Sequence, residues 1–233
     1  MRLSLQFQQL AKADVFEDMQ SSEIADFIDT CELRSVATGK VLLEQDKHAD
    51  GMILIAYGCV EVTMKTPDGH VAVLHHAREA ETLGCMEAAT RQPCVACCTA
   101  VGDVTFLYCP LDKFAEHLAH PLIQRNVMRI MQARMLRDSL RKHVDQHYSL
   151  DRRVCAYLLR LTDRSNRVPH SQSYIAKLAS CSRQSINRAL AILRQDGLIT
   201  IEKGKIRLLD RAGLERKLAG QEDATTQIRP LQG

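Results

Sequence analysis

The spacing of apolar residues changes period twice along the chain. In the first thirty residues it is helical. Ile24, Phe27 and Ile28 fall at i, i+3, i+4 behind Ser21 or Ser22, either of which can cap a short helix. From Leu33 to about Cys109 short apolar runs alternate with turn residues, as in SVATGKVLLEQ, GMILIAYGCVEVTMK, VAVLHHA and VGDVTFLYC. Pro67-Asp68-Gly69 separates Val60, Val62 and Met64 from Val71 and Val73, which predicts a hairpin. Many short strands at this spacing imply an antiparallel sandwich or a barrel-like roll. From Leu111 to His147 the period is helical again, with no glycine and no proline after Pro121.

Ile123, Val127, Ile130, Met131, Met135, Leu136, Leu140 and Val144 form a stripe along that last stretch. Such a helix spans about 38 Å at ~1.5 Å per residue, long for a helix serving only its own domain. A two-fold parallel coiled coil is the simplest partner arrangement, with Ile123, Val127, Ile130, Met131, Leu140 and Val144 at the dimer interface. The alternative is a helix laid on its own sheet. Ser149-Leu150-Asp151 then opens a further helix carrying Val154, Tyr157, Leu158 and Leu161.

The segment HSQSYIAKLASCSRQSINRALAILRQDGLITIEKGKIRLL is the most informative. Ser171 can cap a helix whose Ile175, Leu178 and Ala179 share a face, and a tight turn follows at Ser180-Cys181. Ser182 can cap a second helix with Ile186, Leu190 and Leu193 inward and Arg183, Gln184, Asn187 and Arg188 outward. Asp196-Gly197 ends it, and the alternation around Lys203-Gly204 makes a hairpin wing. This is a winged helix-turn-helix whose second helix can enter a major groove. Arginine bonds guanine O6 and N7, and glutamine bonds adenine N6 and N7. Arg183, Gln184, Asn187 and Arg188 are therefore the candidate base readers. Ser171, Ser182, Lys203, Lys205, Arg152 and Arg153 are candidates for the DNA backbone.

Charge sharpens this division. Residues 1–121 hold nine Lys and Arg against eighteen Asp and Glu, whereas residues 149–220 hold fifteen against six. One end of the chain is built to meet a polyanion and the other is not. No apolar run approaches the ~18 residues of a membrane span, and the N-terminus lacks a signal-peptide pattern. The nine cysteines are an odd number, which argues against a disulfide framework and for a reducing, cytoplasmic compartment. No P-loop, dinucleotide fingerprint or nucleophile elbow occurs, so an enzyme is not expected.

Roll, long helix and winged helix together resemble the CRP/FNR family of bacterial transcription regulators over about residues 7–212. Gly39, the GCVEV stretch from Gly58, Gly84 and LASCSRQSINRALAILRQDGLI carry the resemblance. It implies an α+β fold. A jelly-roll-like antiparallel β-roll (a double-stranded β-helix) over 1–120 would sense the effector, 121–148 would be a dimerisation helix, 149–220 the DNA-binding domain and 221–233 a flexible tail. It further implies a homodimer on near-palindromic double-stranded DNA that recruits RNA polymerase. Ser180 stands where many members have glycine, and Gln184 where cyclic-AMP and FNR-type members commonly have glutamate.

The resemblance also bears on the effector. Cyclic-nucleotide members hold the ribose with a glutamate and the cyclic phosphate with an arginine. Here the first motif reads Gly84-Cys85-Met86 and the second falls near Cys94-Val95-Ala96, so both charged groups are missing and a cyclic nucleotide is not expected. An FNR-type iron–sulfur cluster draws on N-terminal cysteines, and this chain has none before Cys31. Cys85-Met86 is similar to the haem-ligand stretch of the family's carbon-monoxide sensor, with Glu87 at the histidine position and His75 and His76 as substitutes. The open readings for Cys85 and Cys94 are a haem site, a thiol redox pair, or the lining of an altered pocket. If Cys94–Cys98 is a strand, Cys94 and Cys98 face one way and Cys97 the other.

Overall fold

The computed structural model describes residues 2–67, 69, 71–163, 165–168, 170–179, 181–202 and 204–220. The chain divides into two compact units, one up to Asp138 and the other from Ser139.

The first unit opens with α1 (Leu3–Gln6), two 3-10 turns at Gln8–Lys12 and Asp14–Phe16, and α2 (Ser21–Asp29). Neither Ser21 nor Ser22 caps α2. Gln20 does, in a capping box with Glu23, whose carboxylate accepts from the Gln20 amide at 2.8 Å. The reciprocal bonds start the helix before the two serines, which become its first residues.

The roll follows as β1 (Glu32–Val36), β2 (Val41–Leu43), β3 (Gly51–Lys65), β4 (Val71–Ala77), β5 (Thr82–Leu83), the short helix α3 (Cys85–Thr90) and β6 (Cys97–Pro110). All strand pairs are antiparallel. The order is β1-β6-β3-β4, with β2 also on β6 and β5 also on β3. The run MILIA inside β3 is apolar throughout because that stretch is buried on both faces. Met52, Leu54 and Ala56 pack under the N-terminal helices, while Ile53 and Ile55 pack inside the roll with Ala100, Val104 and Phe106. The register slips between Tyr57 and Cys59, where Gly58 sits at φ 102°. A Cβ on Gly58 would lie 2.5 Å from the Asp103 carbonyl oxygen, so this bend requires glycine. The hairpin at Gly69 forms as the turn signal predicts, with Lys65 opposite Val71; Asp68 lies outside the described residues.

α4 (Leu111–His117) and α5 (Pro121–His147) complete this part of the chain, α5 continuing past Asp138 into the second unit. Its apolar stripe is divided. Ile123, Val127 and Ile130 are 1%, 7% and 9% exposed and belong to the core shared with the N-terminal helices. These three are thus covered within their own chain and are unavailable to a dimer interface. Their i, i+4, i+7 spacing is that of a helix laid on its own domain. Met128, Met131, Met135, Leu136 and Leu140 are exposed, and Val144 is half-buried.

The second unit holds α6 (Leu150–Leu161), β7 (Arg167–Val168), α7 (Gln172–Leu178), α8 (Arg183–Gln195), β8 (Ile199–Glu202), β9 (Lys205–Leu208) and α9 (Arg211–Ala219). The three strands form a sheet of order β7-β9-β8. Val154, Leu158, Ile175, Leu178, Ile186, Leu190, Leu193, Ile206 and Leu214 are buried in this unit. Asp210 caps α9 by accepting from Gly213 N at 2.9 Å, and Lys217 on α9 pairs with Asp196 at 2.5 Å. Among the described residues no helix is long and apolar enough to cross a membrane.

Candidate nucleic-acid interface and effector cradle

α8 is built as the sequence requires of a recognition helix. Ser182 accepts from Ser185 N at 3.1 Å, fixing the N-terminus. Ile186, Ala189, Leu190 and Leu193 are buried, which turns Arg183, Gln184, Asn187 and Arg188 outward, and all four are exposed. Ser171 accepts from Tyr174 N at 3.2 Å and starts α7. Cys181 N bonds Ala176 O at 3.1 Å across the turn between the helices, whose Ser180 lies outside the described residues. Gly197 at φ 70° ends α8, and Glu202 faces Lys205 at the wing's tip.

The backbone candidates fare unequally. Ser171, Ser182 and Lys205 are exposed. Lys203 lies outside the described residues. Arg152 is committed internally: its Nε donates to Leu218 O at 2.9 Å, and its guanidinium stacks 3.9 Å from the Tyr148 ring centroid. That bond engages Nε alone and ties the side chain to α9. Arg153 is half-buried, with Nε shielded from solvent. Sequence reasoning passed over Arg167 and Arg207, which stand opposite each other on β7 and β9. The signal was available as alternation: Ile206 and Leu208 inward place Lys205 and Arg207 outward.

In the roll, Gly84 at φ 73° turns the chain from β5 into α3, and a Cβ there would meet Gly51 O at 3.0 Å. Cys85 follows, fully buried in the core with Met52, Phe16 and Ala88, its thiol 3.5 Å from Thr82 Oγ1. A thiol so enclosed leaves no open face for a macrocycle, so haem ligation by Cys85 does not fit, nor does a sensory role facing a pocket. Met86 packs partly buried against the same core. His75 and His76 are both occupied by carboxylates, Glu81 at 2.6 Å and Glu61 at 3.5 Å.

Cys94 precedes the strand it was expected to share. β6 begins at Cys97, because the chain at Pro93 bridges His48 and Cys94 exchanges backbone bonds with Lys47 and Asp46. Cys97 and Cys98 do divide, half-buried against buried. Burial first, then the Glu87 carboxylate, pushes the Cys94 thiol up to about 11 and the Cys98 thiol up to about 12. Glu87 Oε2 is itself buried with no hydrogen-bond partner among the described residues. Neutral thiols and a carboxylate therefore gather at this turn, with the Arg134 guanidinium near enough to act on the Cys98 thiol. Among the described residues no group of three or more His, Cys, Asp and Glu is placed to hold a metal ion.

Two further residues tie α5 to the rest of the first unit and were not foreseen. Arg134 Nη2 donates to Thr82 O at 2.6 Å, anchoring β5. Asn126, fully buried, donates to Val15 O at 3.1 Å and Glu17 O at 2.8 Å.

Comparison with known proteins agrees with this architecture. Residues 33–120 match the model of the cyclic nucleotide-binding domain, and residues 152–217 that of the Crp-like helix-turn-helix domain. A CRP-like cAMP-activated global transcriptional regulator of Mycobacterium tuberculosis is 25% identical over 219 residues, covering 89% of this chain and 97% of the relative. The transcriptional activator protein FnrA of Stutzerimonas stutzeri is 21% identical over 201 residues, covering 82% of each. The crystal structure of a crp/fnr-family regulator from Eubacterium rectale superposes with a TM-score of 0.73 at 18% identity, covering 88% of this chain and 97% of that one. These relatives are transcription regulators, not enzymes, and the paired roll and winged helix place this chain in the CRP/FNR family of transcription regulators.

Proposed function

We propose that the chain is a cytoplasmic, homodimeric regulator that binds near-palindromic double-stranded DNA, acts with RNA polymerase and answers to a signal other than a cyclic nucleotide. The observation that carries the DNA reading is the outward quartet Arg183, Gln184, Asn187 and Arg188 on a capped helix whose opposite face is buried. Arg183 and Arg188 read guanine edges, Gln184 and Asn187 adenine, each bidentate pair supplying about 1–3 kcal/mol of discrimination. The exposed Met128, Met131, Met135, Leu136 and Leu140 supply the seam with a second copy. The exclusion of cyclic nucleotides rests on Cys85, Cys94 and Glu87 in the cradle. Haem held by Cys85 is set aside because that thiol is fully buried, and the neutral, buried thiols of Cys94 and Cys98 argue against a rapid thiol-redox signal.

Selection of bound sequences from a random duplex pool tests the proposal. Wild type should enrich two half-sites in inverted repeat, and Arg188→Ala should bind without preference at one base pair of each. Adding cyclic AMP should change neither. Enrichment of no sequence, or an Arg188→Ala variant with unaltered half-sites, would refute the assignment.

A further inference from the structure

We propose that the outward face of the wing sheet, centred on Arg167 and Arg207, clamps the phosphodiester backbone of duplex DNA at the base of the wing. The inference rests on the DNA-binding reading above and adds residues and a location to it.

Three observations converge on this face. First, Arg167 on β7 is the direct cross-strand partner of Arg207 on β9, and both are exposed. Like charges directly opposite on a sheet destabilise it, so folding alone does not favour the pair. Second, neither guanidinium is neutralised by an ion pair within 4.0 Å among the described residues. The other neighbour of Arg207 is Thr200, not a carboxylate. Asp163 attracts Arg167 through space without an ion pair to it within 4.0 Å; its Oδ1 accepts from Ser165 N at 2.7 Å, Ser165 Oγ at 2.7 Å and Arg167 N at 3.0 Å. Toward the tip, Lys205 stands opposite Glu202. Third, the arginines and Lys205 line a groove of about 1050 Å³ that runs to Ser171 and His170 at the start of α7, with Asp163 and Glu202 as its carboxylates. In a helix-turn-helix the first helix crosses the DNA backbone. A strand of phosphates following that crossing enters the groove and meets Arg167 and Arg207 side by side. Planar guanidiniums suit this role because each can offer two parallel N–H groups to one phosphate.

The test uses Arg167→Thr, Arg207→Thr and the double variant in the full chain, with a short random-sequence duplex and a salt titration. Phosphate contacts release counterions, so the slope of log K against log salt should fall by about 0.9 for each arginine removed from each bound subunit. By the same relation, the double variant should bind roughly 30-fold more weakly per subunit at about 0.15 M salt, and the loss should shrink as salt rises. Preference for a selected site over a scrambled one should stay at the wild-type value, since phosphates carry no sequence. Arg207→Glu supplies a second arm. It creates an opposite-charge pair with Arg167, so the melting temperature should hold or rise while DNA binding drops. An unchanged salt slope in the double variant, with Arg188→Ala still erasing preference, overturns the clamp and leaves base reading by α8 intact. A lowered melting temperature with an unchanged slope assigns the arginines to the fold and also overturns it. Wild-type protein that binds no duplex overturns the clamp together with the DNA reading on which it rests.

Discussion

Asn126→Leu removes the fully buried amide that fastens the 3-10 turns at the N-terminus to α5. Its consequences can be followed bond by bond. Val15 O loses the amide that donates to it at 3.1 Å. Glu17 O keeps one donor, because Arg125 Nη2 also reaches it at 3.2 Å. Arg125 in turn loses Asn126 Oδ1 but retains Asp18 at 2.9 Å. The largest change is at Val15 O, and a buried acceptor deprived of its donor costs about 1–3 kcal/mol. The added methyl groups return roughly 1 kcal/mol of apolar burial. The balance is a loss of about 1 kcal/mol, confined to the first unit. Hydrogen exchange of the full chain reads this directly, as a drop in protection of about 5-fold for peptides covering 13–19 and 121–131 and no change in α8.

Asn126→Asp should cost more at neutral pH, since a carboxylate cannot donate to the two carbonyls it would face, and its charge is buried. Burial against two carbonyls pushes the pKa of the introduced carboxyl above its unfolded value of about 3.9; the Arg125 guanidinium at the replaced Oδ1 opposes this, but it is exposed and already paired with Asp18, so burial sets the sign and the folded state binds the extra proton. The defect should therefore be smallest below that value and grow as pH rises through the folded pKa. Protection that is unchanged in Asn126→Leu, or a defect in Asn126→Asp that worsens on acidification, would refute the clasp.

Other expectations concern the two faces of function. Gln184→Glu should exchange a preference for adenine for one for cytosine at the same half-site position, by about 1–3 kcal/mol, scored by competition between substituted duplexes. Met135→Glu combined with Leu140→Glu should convert a micromolar dimer into monomer by sedimentation velocity while far-UV circular dichroism stays unchanged; a wild type that sediments as monomer would remove the seam. Cys94 and Cys98, at about 11 and 12, hold under roughly one thiolate in a thousand near pH 7.5, so iodoacetamide should leave both unmodified in the native protein and label Cys94 faster as pH rises. Rapid alkylation of Cys94 at neutral pH would show that the cradle is open and that Glu87 does not face it. Ser182→Ala should cost about 1 kcal/mol through the lost cap on α8.

The winged helix was legible because each of its boundaries is marked by a residue with a local physical reason. Ser171 and Ser182 cap, Gly197 takes a positive φ, and alternation through Ile206 and Leu208 sets the face of β9. The roll was legible from the turn at Gly69 and the short apolar runs. What the sequence could not divide was an apolar stripe with two owners. Ile123, Val127 and Ile130 have the same chemistry as Met131 and Leu140, yet the first three close the unit's own core and the others lie open. Periodicity identifies a face without saying what covers it. The cysteines were opaque for a related reason. Cys85 and Cys94 occupy positions where ligands would be held, but a thiol also packs as a small apolar group, and for Cys85 packing decides. Arg152 shows that charge in a basic domain can also serve the fold, through its bond to Leu218.

The divided stripe makes α5 a crank. At about 100° per residue, Ile123, Val127 and Ile130 point roughly a quarter-turn away from Met128, Met131 and Met135 around the helix axis. Because the first set is keyed into the roll and Arg134 pins β5 to the same helix, the roll and the opening half of α5 turn together. A shift of the roll therefore carries the exposed methionine face with it.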